Sequence, residues 1–198
     1  MKLYYSPGTC SLTSLITINE TGLEVELVRV DLRSHKTQTG ADFYAINPKG
    51  YVPALQLDDG SFLTEGAVVV QYLADQKPAS RMIPPAGSID RYRAQEWLTF
   101  IATEVHKTFS PMFSGSEAVK EAGRAKLAKR FDFIARALEE RPYLVGDTFG
   151  VADAYLFNML SWTSFMGIDL ARWPALQAFF ARVAQRPSVQ AALTTQKR

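Results

Sequence analysis

The chain has 198 residues, of which 47% are hydrophobic and 21% charged, a composition typical of globular proteins. Its 22 basic and 20 acidic residues leave a net charge of +2, so no basic surplus indicates nucleic-acid binding. The uncharged stretches are too short and too polar to cross a bilayer, and the first residues lack the apolar core of a signal peptide. A single cysteine excludes an intrachain disulfide. These features predict a soluble cytoplasmic protein with no nucleic-acid or membrane partner.

The first third of the chain mixes short strand patterns with helix patterns. Apolar runs ended by turn residues, and alternation of apolar and polar residues, favour strands, whereas apolar residues three or four apart favour helices. The predicted order is a strand at 3–5, a helix at 11–20 stopped by Gly22, a strand at 24–31, a loop at 33–40, strands at 52–57 and 61–63 joined by a hairpin turn, and a helix at 65–77.

A linker separates this region from the rest of the chain. Residues 78–88 contain three prolines and a glycine, a composition typical of domain boundaries. Four or five helix patterns follow, with breaks near 111–116, 142–150, 173–174 and at Pro187. We therefore predict an α/β domain at 1–77 and an all-helical domain at 89–198.

Cys10 is the first candidate functional residue. It follows the turn Ser6-Pro7-Gly8-Thr9 and opens the first predicted helix. The partial positive charge and unpaired N–H groups of a helix N-terminus favour the reactive thiolate. A buried, inert thiol fits the same position equally well. The absence of a second cysteine excludes a Cys-x-x-Cys couple, so any disulfide at Cys10 would join another molecule.

Two further patterns are compatible with ligand binding. Pro53 keeps Val52 extended at a strand entry, where its backbone can pair with a peptide-like ligand, although a strand-edge proline needs no ligand. Glu65-Gly66 opens a helix, where free N–H groups can bind a carboxylate and Glu65 can accept from a ligand ammonium. Helix capping explains this second pattern as well.

Taken in order, these motifs resemble those of the beta-class (bacterial) glutathione transferases. The matching segments come in the family's order and span essentially the whole chain. They are Lys2-Leu3-Tyr4-Tyr5-Ser6-Pro7-Gly8 with Cys10-Ser11, Asn47-Pro48-Lys49-Gly50-Tyr51-Val52-Pro53, Leu63-Thr64-Glu65-Gly66 with Gln71-Tyr72-Leu73-Ala74-Asp75, Glu104-Val105-His106-Lys107, and Val151-Ala152-Asp153-Ala154-Tyr155-Leu156-Phe157.

The resemblance implies a fold, a partner and a cosubstrate. The expected fold is an N-terminal thioredoxin-like domain, with a four-stranded mixed sheet and helices, followed by an all-helical domain. The expected assembly is a homodimer. Glutathione is the expected cosubstrate, a small hydrophobic electrophile is the second substrate, and no metal is implied.

The resemblance also implies roles for individual residues. Cys10 would lie beside the glutathione sulfur, Val52 before Pro53 would pair with the cysteinyl unit, Glu65 and Gly66 would hold the γ-glutamyl end, and His35 would contact the glycine end. Thr99, Thr103, Glu104, His106 and Lys107 would reach the same pocket, partly from the dimer partner, with His106 near the thiol.

Helical periodicity gives a separate indication for His106. At about 100° per residue, Trp97, Ile101, Val105, Thr108 and Met112 share one face, and Thr99, Thr103, His106 and Ser110 lie nearly opposite. His106 thus belongs to a polar stripe. A solvated surface histidine and a histidine that faces an active site are both compatible with this position.

The chain departs from the family pattern at several positions. His35 replaces the usual lysine, so we expect weaker binding of the glycine carboxylate, restored in part at acidic pH. Thr99 replaces a frequent asparagine, which weakens its assignment as a contact. Gly150 replaces a Ser or Thr helix cap, where Asp153 can still bond back to the Gly150 N–H at small cost. Thr13-Ser14-Leu15 lacks the proline and histidine often found there, a change with no functional account.

Two mechanisms and two rival functions follow. Glutathione could stay free and attack an electrophile held by Phe109, Phe113, Trp162 and Met166, or Cys10 could form a mixed disulfide and act in thiol–disulfide exchange or as a peroxidase, tuned by His106. Ser11 and Tyr5 rank after Cys10 as groups that stabilise the thiolate. The rivals are a non-catalytic ligand-sequestering or regulatory protein and a glutathione-dependent reductive dehalogenase or isomerase on the same fold.

Overall fold

The computed structural model describes residues 1–197, which form two compact units. The first comprises Met1–Ser80 together with the segment from Pro187 onward, and the second comprises Arg81–Arg186. From the sequence we predicted that the C-terminal segment belongs to the all-helical domain at 89–198. It groups with the first unit because the last helix packs there, with a hydrogen bond from Asn19 Nδ2 to the Ser188 carbonyl (3.0 Å) and one from Ser188 Oγ to Glu20 (2.5 Å).

The first unit is built on a mixed β-sheet, as predicted. Its strands are β1 (Lys2–Tyr5), β2 (Glu26–Asp31), β3 (Lys36–Thr37), β4 (Ala54–Gln56) and β5 (Phe62–Leu63), in the spatial order β3-β2-β1-β4-β5. β1 pairs in parallel with β2, and the other pairs are antiparallel. The helices of this unit are α1 (Leu12–Thr21), α2 (Phe43–Ile46), α3 (Gly66–Asp75) and α9 (Pro187–Thr195), with a 3₁₀ turn at Pro78–Ser80.

β1 is the central strand of the sheet. Leu3 is fully buried and lies opposite Leu27 of β2 and Leu55 of β4. On one face of the sheet, Tyr4 packs in an apolar cluster with Val28, Val30, Phe43, Val52 and Ala54. The predicted strands β1, β2, β4 and β5 are thus confirmed. In the three inner strands, Leu3, Val30 and Leu55 lie at positions that the sheet buries.

Two elements of this unit were not predicted. The two-residue strand β3 pairs Thr37 with Val30 inside the segment predicted as a loop, so the sheet has five strands rather than four. The four-residue helix α2 begins after Asp42, whose carboxylate accepts the Tyr44 N–H at 3.0 Å. Neither element is long enough to repeat an apolar period, which is the signal that sequence analysis uses.

In the second unit, Arg81–Arg186, all the regular secondary structure that is described is helical. A long helix runs as α4 (Ile89–Phe100), a π-helical stretch (Ile101–His106), α5 (Lys107–Phe109) and a 3₁₀ turn (Ser110–Met112). It is followed by α6 (Glu117–Glu139), α7 (Val151–Ser161), 3₁₀ turns at Ser164–Met166 and Leu170–Arg172, and α8 (Pro174–Ala184). The breaks predicted near 111–116, 142–150 and 173–174, and the one at Pro187, are confirmed. In the part of the chain that is described, no helix is both long and apolar enough to span a membrane.

Asp153 holds the start of α7. Its side chain is buried and accepts the Leu144 N–H at 2.8 Å and the Gly150 N–H at 2.9 Å. The predicted bond from the Gly150 N–H to Asp153 is therefore confirmed. Burial raises the pKa of Asp153 to about 7, while the two N–H donors act in the opposite direction. Residues 151–160 of α7 are all buried. The N–H groups around its start therefore need a hydrogen-bond acceptor within the protein, which is the Asp153 carboxylate.

We predict that Asp153→Ala lowers the free energy of unfolding by about 1–3 kcal/mol, because two buried N–H groups lose their acceptor. Asp42→Ala is the matched control: it removes an exposed capping bond and should cost about 1 kcal/mol or less. Urea unfolding followed by circular dichroism measures both. Equal losses in the two variants would contradict the role given to burial.

Candidate active site

Ser11 closes the loop that carries Cys10. The fully buried Ser11 hydroxyl donates to the Ser6 carbonyl at 3.0 Å and accepts the Ser6 N–H at 3.2 Å. Thr9 Oγ1 donates to the same carbonyl at 2.8 Å and lies 2.7 Å from Ser11 Oγ. The expectation that Ser11 is a donor to a thiolate does not match this geometry, because its hydroxyl is occupied by the loop backbone.

Cys10 lies in the turn that leads into α1, two residues before the helix begins at Leu12. Its Sγ donates to the Val52 carbonyl at 3.3 Å. Burial of the thiol raises the pKa of Cys10 to about 12, and the Glu65 carboxylate adds to the rise while a backbone N–H opposes it. The helix N-terminus therefore does not produce a thiolate here, because the loss of hydration outweighs it. The thiol is protonated at neutral pH and acts as a hydrogen-bond donor.

Val52 and Pro53 lie beside this thiol at the start of β4. The Val52–Pro53 peptide bond is cis. The preceding loop is held by Asn47, whose Nδ2 donates to the Tyr51 carbonyl at 2.8 Å. Gly50 has φ +71°, and a Cβ there would lie 2.4 Å from the Tyr44 ring, so a side chain would strain the backbone and displace that ring. The loop thereby fixes the Val52 carbonyl opposite Cys10.

Glu65 and Gly66 form the entry to α3. Glu65 has φ +67°, a strained conformation for a residue with a side chain. Its carboxylate accepts from Lys49 Nζ at 2.7 Å, and the same ammonium donates to Thr64 Oγ1 at 2.8 Å. The Glu65 carbonyl accepts the N–H groups of Val68 and Val69, which leaves the first N–H groups of α3 at the helix end. A carboxylate and helix N–H groups are thus adjacent, as predicted.

His35 and Tyr5 lie elsewhere on the first unit. The His35 ring lies against Tyr44, tilted by 30° with a centroid distance of 4.3 Å, and its Nε2 lies 3.2 Å from the Tyr44 hydroxyl. His35 has φ +51°, and its carbonyl accepts the Phe43 N–H at 2.8 Å. The structure therefore assigns the imidazole to a contact with Tyr44. Tyr5 is 6% exposed at the end of β1, which argues against a direct role for its ring.

In the second unit, the long helix presents two faces, as its periodicity predicted. Ile101, Val105, Thr108 and Met112 are buried, whereas Thr99, Thr103 and Ser110 are exposed. The π-helical stretch was not predicted. In it the Lys107 N–H bonds to the Ala102 carbonyl, five residues back. π-Helical turns are frequent at functional sites, because the extra residue redirects the side chains that follow.

His106 is the last residue of this stretch and is partly buried. Its Nδ1 lies 2.7 Å from the Tyr155 hydroxyl on α7, and its ring meets the Trp162 ring edge-on at 5.2 Å. Burial lowers the pKa of His106 to about 4, and the neighbouring Lys107 ammonium adds to the effect. The imidazole is therefore uncharged at neutral pH and held by a specific partner. A solvated surface histidine does not fit these contacts.

Other polar residues expected to bind ligand have partners within the helical unit. Glu104 accepts from Arg130 at 3.0 Å and 2.5 Å, which lowers the pKa of its carboxyl. Thr103 Oγ1 donates to the Thr99 carbonyl at 3.0 Å. Lys107 is exposed. Glu104 is thus better explained as a helix-to-helix ion pair than as a ligand contact.

The predicted apolar walls differ in accessibility. Trp162 packs edge-on against Phe109 at 5.7 Å and against Phe113 at 5.2 Å. Phe109 is fully buried, so it packs against Trp162 and is not itself available as a wall. Met166 is 6% exposed, whereas Phe113 is 51% exposed. The neighbouring Phe165, which sequence analysis did not select, is 77% exposed.

Two polar residues with specific contacts were also missed, Lys49 and Tyr155. Both lie inside the motifs that carried the family resemblance, but neither was assigned a role. Lys49 is 16 positions from Glu65 and Tyr155 is 49 positions from His106, and no local period connects such pairs. Among residues 1–197, no group of three or more His, Cys, Asp or Glu side chains could hold a metal ion.

Comparisons with known proteins agree with this architecture. The model of the glutathione S-transferase N-terminal domain matches residues 8–76, and that of the C-terminal domain matches residues 99–187. The chain is 46% identical over 198 residues to glutathione S-transferase GstA of Escherichia coli O157:H7, covering 99% of this chain and 98% of that protein.

Solved structures give the same result. A sphingomonad glutathione S-transferase complexed with glutathione is 45% identical with a TM-score of 0.96, covering 100% of this chain and 99% of that one. A bacterial beta-class enzyme from Sphingomonas chungbukensis is 43% identical with a TM-score of 0.95, covering 99% and 98%. With both domain models matched and this identity along its whole length, the chain belongs to the glutathione S-transferase family and is similar to the beta class.

Proposed function

We propose that the protein conjugates the glutathione thiol to small hydrophobic electrophiles. In this reaction the glutathione sulfur forms a C–S bond, the leaving group departs with its electron pair, and the thiol proton passes to solvent. The observation that carries the proposal is the pairing of a carboxylate acceptor, Glu65, with the free N–H end of α3. These groups complement the ammonium and carboxylate of a γ-glutamyl unit.

The rest of the glutathione site is proposed around that anchor. Val52, before Pro53, offers extended backbone to the cysteinyl unit, and Cys10 lies within hydrogen-bond reach of the Val52 carbonyl. His35 would serve the glycine end. Thr99, Thr103 and Lys107 keep the roles that the family resemblance gives them, and so does the homodimer that would bring some of them from a second copy. A cytoplasmic location fits the single unpaired cysteine.

The protonation state of Cys10 favours one of the two mechanisms. A thiolate is required for nucleophilic attack on a disulfide, and burial keeps Cys10 protonated. We therefore place conjugation by free glutathione first, and thiol–disulfide exchange through Cys10 as a slower side activity. In conjugation, Cys10 donates a hydrogen bond and forms no covalent bond.

The electrophile is proposed to bind on the helical unit. Phe113 and Phe165 are exposed aromatic rings, and Trp162 lies against Phe113. Flat apolar surfaces of this kind bind aromatic compounds by stacking and burial. A pure ligand-binding protein would share this surface, so turnover with glutathione is the property that separates the two functions.

The first test is the dependence of conjugation on Glu65. With an aromatic halide as electrophile, Glu65→Gln should raise the KM for glutathione about 10- to 100-fold, since a charge-assisted hydrogen bond is lost. Lys49→Met is the matched control. It removes the ammonium that competes for Glu65, so the KM should fall about twofold to fivefold.

Steady-state kinetics with each variant decide the question. Binding of a hydrophobic dye without glutathione-dependent turnover in the wild type would overturn the proposal in favour of a ligand-binding protein. A KM that rises equally in both variants would show that Lys49 holds the ligand carboxylate instead of competing for Glu65.

The second test is the reactivity of Cys10. Because its pKa is about 12 in the folded protein, alkylation by iodoacetamide at pH 7.5 should be about tenfold or more slower than in urea-unfolded protein. The folded rate should keep rising with pH above 9, where an ordinary thiol levels off. Intact mass reports the reaction, with Cys10→Ala as the blank. Faster reaction of the folded protein would place disulfide exchange first.

The third test concerns His35. A lysine would carry a permanent charge toward the glycine carboxylate, so His35→Lys should lower the KM for glutathione about fivefold at pH 7.5. Glutathione lacking its glycine controls for the contact, since the variant should not improve its binding. A KM for glutathione that is unchanged in His35→Lys contradicts the assignment.

A further inference from the structure

The last helix of the chain, α9, lies along α1 in the first unit and runs in the opposite direction. Near the end of α1, Ser188 Oγ donates to Glu20 at 2.5 Å, and the Ser188 carbonyl accepts from Asn19 Nδ2 at 3.0 Å. In the loop that precedes α1, the Gly8 N–H donates to Gln196 Oε1 at 3.3 Å. The two ends of α9 are therefore bonded to the two ends of α1.

The packing of α9 fixes where the Gln196 side chain lies. Val189 and Ala192 are fully buried, and the helix packs against α1 along its length. The Gln196 N–H donates to the Ala192 carbonyl at 3.1 Å, so helical geometry continues to that residue. At 1.5 Å per residue, positions 188 and 196 are about 12 Å apart, which is close to the length of α1. Gln196 thus meets the loop because α9 is anchored at its other end.

Gly8 is exposed in the turn between β1 and α1. The preceding residue, Pro7, has no N–H, and the Ser6 backbone is bonded within the loop. The Gly8 N–H, in contrast, donates to the side chain of Gln196. Gly8 has φ +72°, and glycine adopts positive and negative φ about equally readily, so local sterics do not fix this conformation. The hydrogen bond from α9 selects it.

The Gln196 amide acts through its oxygen. An N–H donor requires an acceptor, so Oε1 is the atom that faces Gly8. The other end of the amide, Nε2, is buried and has no hydrogen-bond partner among residues 1–197. A buried donor without a partner is unfavourable, so the amino group contributes nothing to this contact. A side chain of the same length that keeps the oxygen should therefore replace glutamine.

The turn after Gly8 connects this contact to the thiol. The Leu12 N–H donates to the Thr9 carbonyl at 3.2 Å. The Thr13 N–H donates to the Cys10 carbonyl, also at 3.2 Å. The segment from Gly8 to the start of α1 is thus one bonded turn, and a change in the Gly8 backbone moves Cys10 with it.

We propose that Gln196 is a positioning residue: through the Gly8 N–H, it selects the loop conformation in which the Cys10 thiol is buried. In that conformation Cys10 Sγ reaches the Val52 carbonyl. Only the effect on turnover rests on the proposed conjugation, in which Cys10 donates a hydrogen bond. The effect on the loop itself can be measured without glutathione.

Alkylation of Cys10 by iodoacetamide reports the position of the loop, because the thiol must leave its buried place to react. Gln196→Met removes the acceptor and keeps the length of the side chain, so the folded protein should react about fivefold faster at pH 7.5, the equivalent of one net hydrogen bond. Gln196→Glu keeps an oxygen and should react at the wild-type rate. Ser188→Ala is the matched control. It removes a hydrogen bond at the far end of α9 and should also leave the rate unchanged.

Two results of this experiment would overturn the proposal. An unchanged rate in Gln196→Met would show that the Gly8 contact does not hold the loop. Equal acceleration in Gln196→Met and Ser188→Ala would show that α9 acts only through the general stability of the unit. Urea unfolding of each variant confirms that all are compared in the folded state.

Hydrogen exchange of the Gly8 amide tests the contact itself. In the wild type this amide should exchange more slowly than a glycine amide of the unfolded chain, because it is hydrogen-bonded. Gln196→Met should remove this protection and Gln196→Glu should retain it. Exchange in the wild type at the rate of the unfolded chain overturns the proposal, and this measurement needs no variant.

Turnover connects the contact to the reaction. Gln196→Met should lower kcat/KM for glutathione about fivefold, and Gln196→Glu and Ser188→Ala should match the wild type. If no form of the protein conjugates glutathione, the proposed function fails while the alkylation and exchange results still decide the role of Gln196. A Gln196→Met variant that is alkylated faster but conjugates at the wild-type rate contradicts the effect on turnover.

Discussion

The pairing of β1 on both of its edges is the constraint on which the candidate site depends. A central strand buries its backbone, so all its N–H and C=O groups must find partners in the neighbouring strands. Tyr4 is opposite Ala54 in the antiparallel ladder, which brings the loop after Tyr5 and the two residues before Ala54 to the same edge of the sheet. The 3.3 Å contact between Cys10 and Val52 is a consequence of that register.

The loop between β1 and α1 then decides what Cys10 can do. Ser11 and Thr9 satisfy the backbone of the loop from within, so the helix starts at Leu12 with the thiol beside it. A helix N-terminus is expected to lower the pKa of a nearby thiol. Here the loss of hydration raises the pKa of the Cys10 thiol by more than the helix N-terminus can lower it. The thiol also donates its hydrogen bond to a carbonyl, which stabilises the protonated form. This balance makes Cys10 a hydrogen-bond donor, which supports the proposal that glutathione is the nucleophile.

In the helical unit, burial likewise keeps a titratable group, His106, uncharged. Capping by Asp153 secures α7, and the buried helix carries Tyr155 to the imidazole. The π-helical stretch ends at His106, at the point where the ring meets Tyr155 and Trp162. An uncharged, oriented imidazole results. In both units, therefore, a group that is usually discussed as ionised is kept neutral by burial and given one defined hydrogen bond.

The sequence by itself determined most of the fold. Apolar periodicity located the longer strands and helices, proline and glycine marked the breaks, and ordered motifs identified the family. The same motifs located Cys10, Val52, Glu65 and Gly66, because a loop, a strand entry and a helix entry have local signatures. The Asp153 cap was predictable for the same reason, since its bond to Gly150 spans three residues.

Only the tertiary structure decided the properties that depend on distant neighbours. Lys49 meets Glu65, and Tyr155 meets His106, through chain packing that no local period encodes. The protonation states of Cys10 and His106 depend on how much water each group loses, which is a property of the folded surroundings. The grouping of α9 with the first unit and the burial of Phe109 follow from packing as well. Sequence selects which chemical groups are available, and burial decides in which ionic state they act.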